Sequence, residues 1–145
     1  MVPMGGGQVS EPNQRLWEFT LHEGEGRCAL SLMIVDTGAG IQGLLTGGEK
    51  PHIGGSVLGI PRPSLTGEGW GVDLFVIPVP GHKDVEVARF LTERMARELK
   101  QTVMISAGIH SDNITGAELI EIQRSCEKLA EAALARLDRH NHWDS

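Results

Sequence analysis

The sequence predicts an α+β domain: a largely antiparallel sheet of about six strands, with two long α-helices packed on one face. Three observations lead there. In the first half of the chain, short alternating apolar runs are separated by Gly-rich turns. Two later segments carry apolar residues at helical spacing, and a last strand lies between them. At 145 residues, a single hydrophobic core is expected, with no room for a second full domain.

Residues 1–14, with Gly5-Gly6-Gly7 and two prolines, show no apolar period and are expected to be a disordered start. The domain is expected over residues 15–138. From Arg15 to Leu21, Leu16, Glu18 and Thr20 alternate with Trp17, Phe19 and Leu21 as in a half-buried strand, and Glu23-Gly24-Glu25-Gly26 turns the chain. A second strand runs from Arg27 to Asp36, a third from Ile41 to Thr46 and a fourth from His52 to Ile60. Pro61 to Gly71 reads as a long irregular connection, and Val72 to Val79 as a buried fifth strand.

Asp84 is placed to cap a helix that carries Ala88, Leu91, Met95 and Leu99 on one face up to Lys100. Thr102 to Ala107 makes the sixth strand. Thr115 and Glu118 have the capping-box spacing, and Leu119, Ile122, Cys126, Leu129, Ala133 and Leu137 line the second helix. Residues 139–145, including His140-Asn141-His142-Trp143, are expected to fray. Helices on one face leave the other partly uncovered, so a second copy is expected to cover it, giving a homodimer.

Composition removes several function classes. The net charge of −6, with no basic block, argues against nucleic acid, whose phosphates are neutralised by lysines and arginines. No apolar run approaches the roughly 20 residues that cross a bilayer, and the amino terminus lacks the order of a secretory signal, so a cytoplasmic protein without a membrane partner is expected. Cys28 and Cys126 are too few for a disulfide framework and are expected to be small buried residues. Without tyrosine, and with three Phe and three Trp, no broad stacking platform is available.

Two strings imitate known signatures. Gly38-Ala39-Gly40-Ile41-Gln42-Gly43 spells the dinucleotide fingerprint, but that motif needs a helix to open there, and Gly47, Gly48 and Pro51 forbid one. Asp36-Thr37-Gly38-Ala39 matches the aspartic-protease sequence over only four residues, in a chain with too much helix for that fold.

The chemistry is expected in three segments that each set a histidine among turn formers. In Gly48-Glu49-Lys50-Pro51-His52-Ile53-Gly54, Lys50 supplies a charged donor, and the glycines Gly54 and Gly55 let a ligand approach the backbone. In Pro80-Gly81-His82-Lys83-Asp84, the start of the next helix favours an anion beside Lys83. In Gly108-Ile109-His110-Ser111-Asp112-Asn113, hydroxyl, carboxylate and amide groups follow a strand end. A phosphate or carboxylate suits the first two, and if His52, His82 and His110 met they could hold a divalent metal ion. Arg62 and Trp70 flank the expected long connection and could clamp a planar ligand.

Together with Asn113-Ile114-Thr115, these three segments resemble the LpdD-like prenylated-flavin chaperones, the small D subunits associated with gallate-type, non-oxidative hydroxyarylic acid decarboxylases. The resemblance spans about residues 15–138. It implies binding of prenylated FMN, or FMN, and its protection or delivery to the catalytic subunit of a UbiD-type decarboxylase, with the flavin prenyltransferase as a further partner. Lys50, His52, Gly54, Arg62, His82, Lys83, His110 and Asn113 are the expected cofactor-binding residues. The competing expectation is a metal-dependent hydrolase, with the three histidines on the ion and Asp112 or Glu49 as general base.

Overall fold

The computed structural model describes residues 16–80 and 84–143. Six strands form one sheet: β1 (Trp17–Glu23), β2 (Leu30–Asp36), β3 (Ile41–Gly48), β4 (Gly55–Pro63), β5 (Trp70–Pro78) and β6 (Val103–His110). Two helices, α1 (Val85–Leu99) and α2 (Gly116–Trp143), complete the α+β fold. The strand order is β1-β2-β3-β6-β4-β5, and every neighbouring pair is antiparallel except β3 and β6.

Alternation decides which face the helices cover. Phe19, Leu32, Ile34, Leu45, Val57 and Ile105 point to the same side and are buried under Ala88, Leu91 and Met95 of α1 and Ile122, Cys126, Leu129 and Leu137 of α2. α1 packs on β4, β5 and β6, whereas α2 packs on β1, β2 and α1. The capping box forms as expected: the Thr115 N–H donates to Glu118 Oε1 and the Glu118 N–H to Thr115 Oγ1, both at 3.1 Å. Both cysteines are buried free thiols.

Several expected boundaries move. The second strand begins at Leu30, because Gly26–Cys28 forms a 3-10 turn that brings Arg27 toward the ends of β3 and β6. Pro61–Pro63 extends β4 and Trp70 opens β5, so the long connection shrinks to residues 64–69, closed by the Ser64 N–H donating to the Gly69 carbonyl at 3.0 Å. β5 is not buried. It is an edge strand paired only with β4, and Phe75 and Ile77 are 54% and 61% exposed on the face opposite the helices. Leu119, assigned to the buried stripe of α2, is half exposed near its start. At the other end α2 continues to Trp143, and the His140 ring stacks on Trp17 with centroids 3.8 Å apart. The expected disordered start falls on residues 1–14, outside the described residues.

The turn at residues 37–40 joins β2 to β3: the Gly38 N–H donates to Asp36 Oδ1 at 2.8 Å and the Thr37 N–H to the Gly40 carbonyl at 3.0 Å. A strand follows, not a helix, so the dinucleotide look-alike lacks its required setting.

Candidate functional site

The insertion of β6 between β3 and β4 creates the site. Because β3 and β6 run parallel, Gly48 and His110 finish side by side, and antiparallel β4 begins at the same end, with Gly55 opposite Ala107. Gly55 also faces Pro78 at the end of β5, from which the chain passes to α1. Topology therefore delivers the segments around residues 48–54 and 108–113, together with Pro78 and Asp84, to one end of the sheet.

Two glycines make the approach close enough. A methyl group on Gly108 would overlap the His52 carbonyl oxygen, and one on Gly54 would overlap the Asp84 carboxylate. The residue 49–54 segment thus arches over the end of β6. Its backbone is tied there by the Glu49 N–H donating to the His110 carbonyl at 2.7 Å and the Gly54 N–H donating to the Ala107 carbonyl at 2.8 Å.

Asp84 occupies the N-cap position of α1, as the sequence suggests, yet its carboxylate makes no capping hydrogen bond. It is buried and turned across the sheet end. Oδ1 accepts the Ile109 N–H at 2.9 Å, and Oδ2 lies 3.1 Å from His52 Nε2. His52 Nδ1 lies 2.8 Å from the Lys50 carbonyl oxygen. The ring thus stands between the Asp84 carboxylate and a carbonyl of its own loop, and holds that loop in place.

His110 stands edge-on to His52, with ring centroids 6.3 Å apart. Its Nε2 lies 3.0 Å from Asp112 Oδ1, while Asp112 Oδ2 is 4.0 Å from Lys50 Nζ. One carboxylate is therefore shared between an imidazole and an ammonium group. The hydrogen bond from His110, then the charge of Lys50, hold the Asp112 carboxyl below its ordinary range. Behind them, Arg27 pairs with Glu49 Oε1 at 2.9 Å, donates to the Asp112 carbonyl and approaches Glu118 Oε2 to 2.8 Å. Ser111 Oγ donates to the Arg27 carbonyl at 3.1 Å.

The structure brings together Lys50, His52, Gly54 and His110, with Asn113 in the left-handed conformation (φ 54°) on the loop that follows His110. It does not bring Arg62. That residue lies at the far end of β4, roughly 23 Å along the strand from Gly55 by strand rise, and pairs with Asp73 Oδ1 at 2.9 Å. Trp70, at the same far end, carries Lys100 Nζ 5.2 Å above its ring. His82 and Lys83 lie outside the described residues. Among the described residues, no group of three or more His, Cys, Asp or Glu side chains is placed to hold a metal ion. The three-histidine site and the hydrolase built on it thus gain no support: His52 and His110 each face a carboxylate instead. Arg27 escaped sequence reasoning because its role depends on strand order, and no local pattern marks it.

On the face opposite the helices, next to this cluster, a shallow concavity of about 280 Å³ opens against Met33, Val35, Gln42, Leu44, Ile53 and Ser106.

A model of the prenylated flavin chaperone LpdD-like domain matches residues 24–138, which span all three histidine segments. The chain belongs to this family. The LpdD-like match also includes Arg27 and the capping box of α2. No curated protein matches the chain. Among solved structures, a chain of a novel chaperone complex for yeast 20S proteasome assembly is similar at 13% identity and a TM-score of 0.49, covering 81% of this LpdD-like chain and 98% of that one. No helix among the described residues is long and apolar enough to cross a membrane.

Proposed function

We propose that this LpdD-like protein binds prenylated FMN, or FMN, and serves as a cytoplasmic carrier that protects the cofactor or delivers it to the catalytic subunit of a UbiD-type non-oxidative aromatic acid decarboxylase. The flavin prenyltransferase is the proposed source of the cargo. One observation carries the reading beyond family membership: His110 and Lys50 converge on a single oxyanion, the Asp112 carboxylate, at 3.0 and 4.0 Å. Donors spaced to share the two oxygens of a carboxylate are spaced to share two oxygens of one phosphate group. Lys50 and His110 then take the flavin phosphate, with His52 anchoring the loop to Asp84 and Gly54 and Gly108 keeping that loop close. His82, Lys83 and Asn113 complete the proposed set from the neighbouring segments. Arg62, at the other end of β4, has no part in the phosphate contact.

The reading includes a homodimer. Ile60, Phe75 and Ile77 leave an exposed apolar strip on the β4–β5 half of the open face, suited to covering by a second copy. Phe75→Lys is expected to shift the protein toward monomer in light scattering.

The test is anaerobic titration with prenylated FMN and FMN, followed by gel filtration and by transfer to an apo-decarboxylase. Stoichiometric co-elution and recovery of decarboxylase activity are expected. Loss of both flavins from the protein peak would reject the carrier.

A further inference from the structure

The donor cluster accounts for one end of a flavin nucleotide and leaves the ring without a place. Resting on the carrier reading, we infer that the concavity on the open sheet face is the ring subsite, so that the ligand lies across the arch of residues 49–54 with phosphate on one side and ring on the other. Ile53 carries the connection. It follows His52 directly, within the roughly 3.8 Å that separates consecutive Cα atoms, and its side chain forms one wall of the concavity. His52 turns to Asp84 at the end of the sheet, whereas Ile53 lies over β3 and β6. The absent side chain at Gly108 is what lets this arch lie flat.

Chemistry divides the two subsites in the same way. Met33, Val35, Leu44 and Ile53 give the concavity apolar walls, and none of the residues lining it is charged. It therefore suits a desolvated fused ring and offers no charge to compensate a buried phosphate. Gln42 and Ser106 are its polar groups, and Ser106 Oγ lies 2.6 Å from Ser56 Oγ, so the hydroxyl pair can turn a proton or a lone pair toward a ring edge. A few polar groups in an apolar pocket are the usual means of orienting a planar ligand. The Met33 thioether, on a strand without aromatic residues, offers a polarisable contact to a π-system. At about 280 Å³ the space lies near the lower end of ligand pockets, roughly 300–1,000 Å³, enough for a ring system and too small for the whole nucleotide.

The experiment compares riboflavin, FMN and prenylated FMN, because riboflavin has the ring without the phosphate. Leu44→Trp fills the concavity, and Met33→Lys puts a charge at a position already 45% exposed, where folding tolerates it. Lys50→Ala removes only a phosphate donor, and Phe90→Lys, on the outer side of α1, is the control for surface charge. Expected are a loss of about tenfold or more in affinity for all three flavins in Leu44→Trp and Met33→Lys, and a loss confined to the two phosphorylated flavins in Lys50→Ala. Phe90→Lys is expected to match wild type, and circular dichroism establishes that each variant is folded. Wild-type affinities retained by folded Leu44→Trp and Met33→Lys would overturn the ring subsite and leave the carrier standing. Failure of the wild-type protein to bind any flavin would instead overturn the carrier and the subsite with it.

Discussion

Asp84 offers the sharpest test of how the site is held together. Its buried carboxylate accepts the Ile109 N–H at 2.9 Å and meets His52 at 3.1 Å, while its charge sits at the amino end of α1. Replacing it with alanine strands the Ile109 N–H, a loss of about 1.5–3 kcal/mol for a hydrogen bond to a charged acceptor. It also removes a favourable charge from the helix end, about 0.5–1 kcal/mol. A total near 3 kcal/mol follows. For a chain of this size, an unfolding entropy of about 2 cal/mol/K per residue converts this to a fall in Tm of about 10 °C. Asp84→Asn keeps a carbonyl oxygen for Ile109 and loses the charge and the His52 contact, so a smaller loss of about 1–1.5 kcal/mol, or about 3–5 °C, is expected. Differential scanning calorimetry of the three proteins at neutral pH separates these outcomes. Equal losses in the alanine and asparagine variants would refute the role assigned to the Ile109 hydrogen bond, and an unchanged Tm in Asp84→Ala would refute the whole account.

Other consequences are independent of that residue. Gly108→Ala pushes a methyl group into the His52 carbonyl and is expected to cost about 2–3 kcal/mol, read as a lower urea midpoint, because backbone must move to relieve it. Arg27→Ala removes half-exposed ion pairs to Glu49 and Glu118, so only about 1 kcal/mol is expected in the same urea assay, whereas flavin affinity falls more because the two site loops lose their common tether. Asp112→Asn withdraws the competing anion between His110 and Lys50 and is expected to tighten FMN binding about threefold at neutral pH, where the depressed carboxyl is ionised; looser binding by isothermal titration would contradict the exchange. Burial pushes the Cys126 thiol up to about 12 and raises Cys28 as well, so at pH 8 both stay protonated and neither reacts with Ellman's reagent until the protein unfolds.

Much of the fold was legible because one sheet face is buried. A single covered face enforces alternation, and Trp17, Phe19, Leu21 and then Leu30, Leu32, Ile34 display it plainly. The same rule misleads on β5. Leu74 turns toward α1 and Phe75 and Ile77 toward the open face, so a run apolar on both sides looks buried although it forms an edge. Asp84 was legible as a helix boundary and not as a hydrogen-bond partner of Ile109, since the boundary is local and the bond depends on β6 lying beside β4. The length of α2 depends likewise on His140 meeting Trp17, a contact across nearly the whole chain. The histidine segments were visible as turns. That the His52 and His110 segments meet was not, because nothing in their spacing reveals that β6 inserts between its two earlier neighbours.

A carrier needs a fixed site and a ligand that can leave, and the structure separates the two requirements. The framework is backbone: strand ends locked by the Glu49 and Gly54 N–H groups, with Asp84 bridging to Ile109. The groups proposed to touch phosphate are side chains, and Lys50 and Asp112 are 68% and 59% exposed. Exposed pairs of this kind add at most about 1 kcal/mol to folding, so exchanging Asp112 for a phosphate oxygen costs the fold little. The exchange also returns little, because one anion replaces another. On the proposed reading, phosphate recognition positions the ligand without trapping it, and most of the affinity comes from the ring at the inferred subsite. In the proposed carrier, a receiving protein then reaches the ring from the open face before the phosphate lets go, and transfer needs no unfolding of the donor.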